Sequence, residues 1–365
     1  MVLHFIKKNA VLTVAFFAAL ITSLFVPIDK EYIGYFDYKT LTCLFCVLAV
    51  VCALKNIDFF YMLARKIIEF FKTTRLCILA LVYITFIGSM LIANDMALLT
   101  FLPLGYFVLS TAKKEKYMAF TFIMQNIAAN LGGMLTPFGN PQNLYLYTKF
   151  NIPTGEFMGI MVQPFIVSIL LITICCVFVK SEPIRIKDKK LELYPLKTIV
   201  YLLLFAFSIA IVFRSIHYLF GLIIIPSVLY FMDKKALKDV DYALLFTFVF
   251  FFIFSGNMSR IPQVRDFISY LLNKNTLIVS IISCQFISNV PSAILLAQFT
   301  ENYRELLWGV NIGGAGTLIA SLASLITFKE YLKHNPKKSL YYIGMFSVFN
   351  FGFVIILTVF TIAIK

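Results

Sequence analysis

Charge is scarce in this chain. Asp, Glu, Lys and Arg make up 14% of its 365 residues, against 61% hydrophobic residues and a mean hydropathy of +0.89, which excludes a soluble globular protein and points to one that folds in a bilayer. No Gly-rich loop ending in Lys-Ser/Thr is present to cradle a phosphate, so ATP does not drive the protein. The three histidines, His4, His217 and His334, show no metal-ligand spacing. Paired carboxylates, a His cluster and a Ser/Lys dyad are all missing at membrane depth, which excludes the usual intramembrane enzymes. The seven cysteines lie in apolar segments as packing residues, and the redox-like spacing of Cys43 and Cys46 falls inside an expected span. No small-residue cleavage site follows the first apolar run, so that run reads as a retained span.

Apolar runs recur from end to end, among them Val11 to Val26, Leu41 to Leu54, Phe157 to Val179, Leu196 to Phe213, Tyr218 to Met232, Tyr242 to Phe254 and Leu340 to Ile364. Crossing about 30 Å of hydrocarbon takes ~20 helical residues, the shorter runs gaining from flanking aromatics and lysines. The net charge of +14 follows from topology. With a cytoplasmic N-terminus, 23 of the 32 basic residues fall in inside segments, including Lys7 and Lys8, Lys55 to Arg75, Lys113 to Lys116, Lys180 to Lys197, Lys234 to Lys238 and Lys329 to Lys338. A nucleic-acid partner is therefore not required, and no soluble domain exists to hold one. The expected location is the plasma or inner membrane of the cell.

That bookkeeping holds only if two segments enter the bilayer and return. Residues 76 to 112 are flanked by cations on both sides and turn at "ANDM", with Asn94 and Asp95 at the tip. Polar backbone at such depth is tolerated only where protein or water surrounds it. The same words return in the second half. "LIANDMALL" pairs with "FISNVPSAILL", and "NLGGMLTP" pairs with "NIGGAGTL", in the same order. An odd number of crossings separates the two hairpins, so they enter from opposite faces and their tips meet near the midplane, as in transporters built from inverted repeats and discontinuous helices. Helix breaks are expected after about Asn130 and again after Asn311. The amphipathic stretches "NIDFFYMLARKIIEFFKTTR" and "MSRIPQVRDFISYLLNK" precede the hairpins at matching places, as interfacial helices.

The chemistry of these points follows from half-helix ends. Arms starting at Asn94 and Asn289 aim N-terminal amides and dipole ends at the midplane, which suits an anion, while the carboxamides both donate and accept. Carbonyls near Asn130, Gly132 and Gly133, and near Asn311, Gly313 and Gly314, suit a small cation. Other roles stay open beside these: Asn94 as a helix cap, the glycines as close-packing residues, Pro137 and Pro141 as simple kinks, and Thr136 and Thr317 bonded back to their own helices. Asp95 is the acid of most interest, because an ionisable group at depth is a functional candidate by default, here as proton relay or cation ligand.

Through its hairpin motifs, "GGMLTPFGNPQN" and "NIGGAGTLIASLASLI", the chain resembles the ion transporter superfamily of citrate-metal symporters, divalent anion:sodium symporters, arsenite efflux permeases and one group of sodium/proton antiporters. The resemblance covers nearly the whole chain. In the divalent-anion branch the tips read Ser-Asn-Thr and touch the substrate carboxylate and a sodium ion. The resemblance carries that role to Asn94, Ser288 and Asn289, while Ala93, Asp95 and Val290 depart from the pattern. The branch's Gly-Thr-Pro-Pro-Asn break is similar to Gly139 through Asn143, with Asn140 and Gln142 as substitutions.

The expected fold is an all-α integral membrane protein, an inverted repeat with two re-entrant helical hairpins, two broken transmembrane helices and about nine full crossings. The first repeat is 1–180 (hairpin 76–112, broken helix 117–148), a linker with one span is 181–213, and the second repeat is 214–365 (hairpin 275–300, broken helix 305–329). The expected function is secondary transport of a small anion, carboxylate or oxyanion, coupled to H+ or Na+, by elevator-type alternating access. Alternatives are a sodium/proton antiporter, an arsenite efflux permease and, further off, a passive channel. Expected substrate contacts are Asn94, Ser288, Asn289, Thr136, Asn140, Asn143 and Thr317. Expected coupling residues are Asp95, Asn130, Gly132, Gly133, Asn311, Gly313 and Gly314. No cofactor or metal beyond the coupling ion is expected, and the partners are the anion, the lipid bilayer and, by the resemblance, a second copy of the chain.

Overall fold

Helix boundaries in this chain are set where the apolar runs meet proline and small polar caps. Prolines open three helices at Pro141, Pro195 and Pro262, where a missing N–H costs nothing. Carboxylate or carboxamide oxygens of Asp37, Asp233, Asp241 and Asn302 accept first-turn amides of four others. The structure, a computed structural model, describes residues 9–184 and 194–365. His4, Lys7, Lys8, Arg185, Lys187, Lys189 and Lys190 of the sequence argument lie outside the described residues. Among the described residues there are seventeen α-helices and no strand, only an isolated bridge between Thr73 and Pro183.

The helices are α1 (Ala10–Ser23), α2 (Tyr38–Asn56), α3 (Phe59–Glu69), α4 (Thr74–Ile92), α5 (Asn94–Thr111), α6 (Met118–Gly132), α7 (Pro141–Lys149), α8 (Thr154–Val177) and α9 (Pro195–Val212). They continue as α10 (Tyr218–Met232), α11 (Lys234–Lys238), α12 (Tyr242–Arg260), α13 (Pro262–Ile287), α14 (Asn289–Leu296), α15 (Tyr303–Gly313), α16 (Leu322–His334) and α17 (Ser339–Ala363). Among the described residues six helices, α2, α4, α8, α9, α13 and α17, are long and apolar enough to cross a membrane, and α1 and α10 are shorter apolar helices. Large apolar side chains stand exposed along them, such as Val14, Leu203, Ile223 and Val348, which only hydrocarbon solvates without cost. This is an all-helical, multi-pass membrane protein. Counting α6/α7 and α15/α16 as one broken span each, and α1, α2, α8, α9, α10, α12 and α17 as one each, gives nine candidate crossings among the described residues.

Two of the long helices are not plain spans. Helix α4 returns immediately as α5 around Ala93, and α13 bends at Asn275 (φ −164°, ψ 93°) before returning as α14 around Ser288. These are the two hairpins. Their tips share one unusual backbone state, φ 65° and ψ 152° at Ala93, φ 74° and ψ 160° at Ser288. Such values are essentially restricted to glycine and cost of order 1–3 kcal/mol each.

Contacts at the tips repeat with a fixed displacement. Asn94 N–H donates to the Gly139 carbonyl at 3.1 Å, and Asn289 N–H donates to the Ala320 carbonyl at 2.9 Å. Thr136 Oγ1 donates to the Met90 carbonyl, and Thr317 Oγ1 to that of Gln285. Asn130 Oδ1 accepts from Ser321, and Asn311 Oδ1 accepts from Asn140. Hairpin residues therefore correspond at a separation of 195 (94 with 289, 90 with 285) and broken-helix residues at 181 (139 with 320, 130 with 311). The repeats interlock, since α14 packs on α7 and α5 packs on α16.

The helices sort into two groups. Helix α12 packs on α1, and α9 to α11 pack on α2; the hairpins, broken helices, α8 and α17 pack on one another. Helix α3 and the first half of α13 lead from one group into the hairpins of the other. These are the two amphipathic stretches of the sequence.

The breaks fall later than the sequence suggests. Helix α6 runs through Asn130 to Gly132 and tightens into a 3₁₀ turn up to Leu135, and α15 runs through Asn311 to Gly313. The glycines end up as close-packing residues. A Cβ on Gly132 would meet the Phe86 carbonyl oxygen and stand 2.6 Å from Ser89 Oγ, and one on Gly313 would stand 2.9 Å from Cys284 Cβ. Each lets a hairpin arm lie against its broken helix.

Candidate functional site

Both hairpin tips line one cavity of about 150 Å³, together with the first residues of α7 and α16. Asn94 and Asp95, Pro141 and Gln142, Ser288 and Asn289, and Ser321 and Leu322 form its inner wall. The N-termini of α5, α7, α14 and α16 thus converge on one space. Each brings about half a positive charge from its peptide dipoles. The other wall comes from the second helix group, with Asn9, Leu244, Thr247 and Asp241, and Lys329 of α16 also lines the cavity.

Asn94 and Asn289 do the same work at the two tips. Asn94 Oδ1 accepts from Asp95 N–H at 2.9 Å, and Asn289 Oδ1 accepts from Val290 N–H at 2.9 Å. Each is the first residue of its half-helix and binds the next amide of it. Asn94 also donates through Nδ2 to Asn130 Oδ1 at 3.2 Å. Ser288 Oγ donates to the Ala320 carbonyl at 3.3 Å.

Behind the wall the two breaks are tied together by carboxamides. Asn130 Oδ1 accepts from Asn94 Nδ2 and from Ser321 Oγ, the latter at 2.9 Å across the repeats. Asn311 Oδ1 accepts from Asn140 Nδ2 at 3.1 Å, and its Nδ2 donates to Asn143 Oδ1 at 2.7 Å. All of these asparagines are buried, and their bonds to one another fix the geometry of the two breaks, with Asn140 Oδ1 left without a partner.

Of the expected contacts, Asn94, Asp95, Ser288 and Asn289 line the cavity, and Thr136, Asn140, Asn143 and Thr317 are not among its lining residues. Those four hold the break loops instead. Thr136 and Thr317 bond across to their own hairpins rather than back along their helices, because each break carries them against the hairpin arm. The carbonyls expected to be open are taken by side chains. Asn140 Nδ2 donates to the Asn130 carbonyl, Asn143 Nδ2 to that of Gly133 and Gln285 Nε2 to that of Gly313. The buried oxygens without a partner near the site are Asp95 Oδ1, Asn140 Oδ1 and Gln142 Oε1. Two of these three residues, Asp95 and Gln142, line the cavity.

Sequence reasoning missed Gln142, Ser321, Asp241 and Lys329 as lining residues. Gln142 had a signal, as a polar residue in a break that the resemblance fills with proline. Ser321 is the counterpart of Asn140 once the separation of 181 residues is known. Asp241 reads in sequence as an ordinary helix cap, and it does cap α12 through Leu244 N–H at 2.9 Å.

A family model for citrate transporters matches residues 1–303. The chain is 35% identical over 297 residues to the uncharacterized transporter MJ0456 of Methanocaldococcus jannaschii, covering 80% of this chain and 81% of the relative. It is 29% identical over 317 residues to the inner membrane protein YbiR of Escherichia coli, covering 84% of each.

Proposed function

The chain belongs to the citrate transporter family, and from that premise we propose that it is a secondary transporter that carries a small carboxylate anion together with H+ or Na+. The observation that carries this reading is the convergence of four helix N-termini on the cavity between Asn94 and Asn289. Amide dipoles attract a carboxylate there, and the tip carboxamides supply donors to fix its orientation. The coupling ion goes to Asp95. A bare carboxylate beside an anion site repels the substrate, whereas a protonated or sodium-paired one does not. Each ion then lowers the cost of burying the other, which is the energetic basis of symport.

Movement follows from the two helix groups. The hairpins and broken helices form one packed unit that carries both tips. In this reading it slides against α1, α2, α9, α10 and α12, with α3 and the first half of α13 as connecting arms. The inner cavity is the access route on the side of Asn9, Asp241 and Lys329.

Uptake of labelled citrate into proteoliposomes, with and without imposed sodium and proton gradients, tests the proposal. Accumulation above equilibrium that needs one of the gradients supports it. Flux that stops at equilibrium refutes it. A second reading, sodium/proton antiport, draws on the partnerless oxygens of Asp95 and Gln142 and the second carboxylate at Asp241, a donor set that suits a cation. Sodium-driven proton movement with no anion present selects that reading.

A further inference from the structure

A second cavity, about 390 Å³ in volume, lies at the opposite end of α7. Asp37 and Lys39 line it from the start of α2, and Tyr145, Thr148 and Lys149 line it from α7, with Gln298 beyond the end of α14. It faces away from the inner cavity. Helices α1 and α12 both begin at the inner cavity, at Asn9 and Asp241, and end on the side of Asp29, Tyr35 and Arg260. Helix α7 joins the two spaces, since Gln142, Tyr145 and Lys149 follow at intervals of three and four residues on one face. About 10 Å of helix separates the first from the last. Tyr145 fills the space between, 1% exposed, with its hydroxyl accepting from Gln298 Nε2 at 3.3 Å.

The charge lining this second cavity is net positive, with Lys39 and Lys149 against the single carboxylate of Asp37. Asp37 spends both oxygens on Thr40, on its N–H at 2.9 Å and its hydroxyl at 2.6 Å. Lys149 reaches only Gln298 Oε1 at 3.4 Å, and among the described residues neither Lys39 nor Lys149 forms an ion pair. Arg214 adds a third cation at the same end of α7, its guanidinium 4.1 Å from the Tyr147 ring and donating to the Tyr147 carbonyl at 2.6 Å. Lys149 and Arg214 suit a helix C-terminus, where the dipole is negative. Lys39 does not have that reason. It sits half-buried in the first turn of α2, at the positive end of the dipole and within the opposing fields of Arg214 and Asp37. An anion entering the cavity meets Lys39 and Lys149 on its lining, neither of them engaged in an ion pair among the described residues.

We propose that this vestibule is a landing site for a multiply charged carboxylate, where Lys39 and Lys149 take the anion before the cavity at the hairpin tips does. The proposal rests on the anion-transport reading for its cargo, and it is tested by site occupancy rather than by flux. A Thr148→Cys variant provides the reporter, because six of the seven native cysteines are buried and Cys175 is half-buried. Modification by a membrane-impermeant maleimide is followed with citrate as the probe and chloride at matched ionic strength as the control. Citrate should protect the new thiol where chloride does not. Lys39→Gln should raise the half-protecting concentration about fivefold, the size expected of one partly exposed ion pair. Lys39→Arg should restore it, and Lys149→Gln, at an exposed position that folding does not need, should shift it in the same sense. Equal protection by chloride, or protection unchanged by both glutamine variants, overturns the proposal. Protection without any citrate uptake supports the vestibule and sinks the transport reading, whereas uptake without protection does the reverse.

Discussion

Replacing either tip asparagine by alanine separates its structural from its transport role, because the two make different numbers of bonds. Asn94 is 3% exposed and makes two side-chain bonds, one accepted from Asp95 N–H at 2.9 Å and one donated to Asn130 Oδ1 at 3.2 Å. Truncation removes both and leaves the Asp95 amide without its acceptor. A net neutral bond contributes about 0.5–1.5 kcal/mol and an unmade buried donor costs about 1–3 kcal/mol. Asn130 Oδ1 keeps Ser321 as donor, so Asn94→Ala should cost about 2–3 kcal/mol. Asn289 has one strong bond, to Val290 N–H at 2.9 Å, beside a 3.4 Å contact from Ser288 Oγ. Asn289→Ala leaves the Val290 amide without its acceptor in the same way but loses no bond to a second asparagine, so it should cost about 1–2 kcal/mol. Transport should not follow that order. Both variants should lose at least tenfold in citrate uptake, measured below the melting temperature of each, with thermal unfolding in detergent as the stability readout. Uptake at the wild-type rate in either variant, or loss of uptake in proportion to destabilisation, refutes the assignment of the two tips to one binding site.

Four further outcomes follow from the geometry. Asp95→Asn should flatten the pH dependence of uptake while sparing folding, and a pH profile identical to wild type removes Asp95 from coupling. Gly132→Ala should destabilise by about 1–3 kcal/mol, since its Cβ would press on the Phe86 carbonyl, which is backbone and cannot rotate away. A neutral or raised melting temperature would show that α6 and α4 are not in close contact. Ala93→Gly should stabilise the protein by about 1 kcal/mol by relieving the left-handed backbone at the first tip, and a lower melting temperature contradicts the strain. Glu182 accepts from Lys114, Lys116 and Tyr117, and these bonds, that of Lys114 first, pull its carboxyl down to about 2. Its stabilisation is therefore complete above the ordinary glutamate pKa near 4.5 and fades as pH falls toward 2. Hydrogen exchange at Thr74 N–H, which donates to the Glu182 carbonyl, should speed up over that window, and Glu182→Gln should abolish the acid dependence.

Most of the architecture was legible in the sequence, because each signal for it is local. Hydropathy marks the apolar helices, and the paired words around Asn94 and Asn289 mark the hairpins to within a few residues of α4/α5 and α13/α14. The site was legible at the tips and not behind them. Gln142 and Asn143 are adjacent, yet the first lines the cavity and the second turns inward to Gly133, Met134 and Asn311. Periodicity alone does not set that rotation.

By itself, then, the sequence determined that this chain folds in a membrane, dips into it twice and interrupts two spans, since composition, charge placement and repeated motifs act over short distances. Only the tertiary structure decided which polar groups face the cavity and which close the breaks. Asn130 pairs with Ser321 and Asn140 with Asn311 across 191 and 171 residues. Such pairings depend on how the two repeats pack against each other, and in a low-dielectric interior it is the pairing of a carboxamide that fixes whether it holds the fold or meets a ligand.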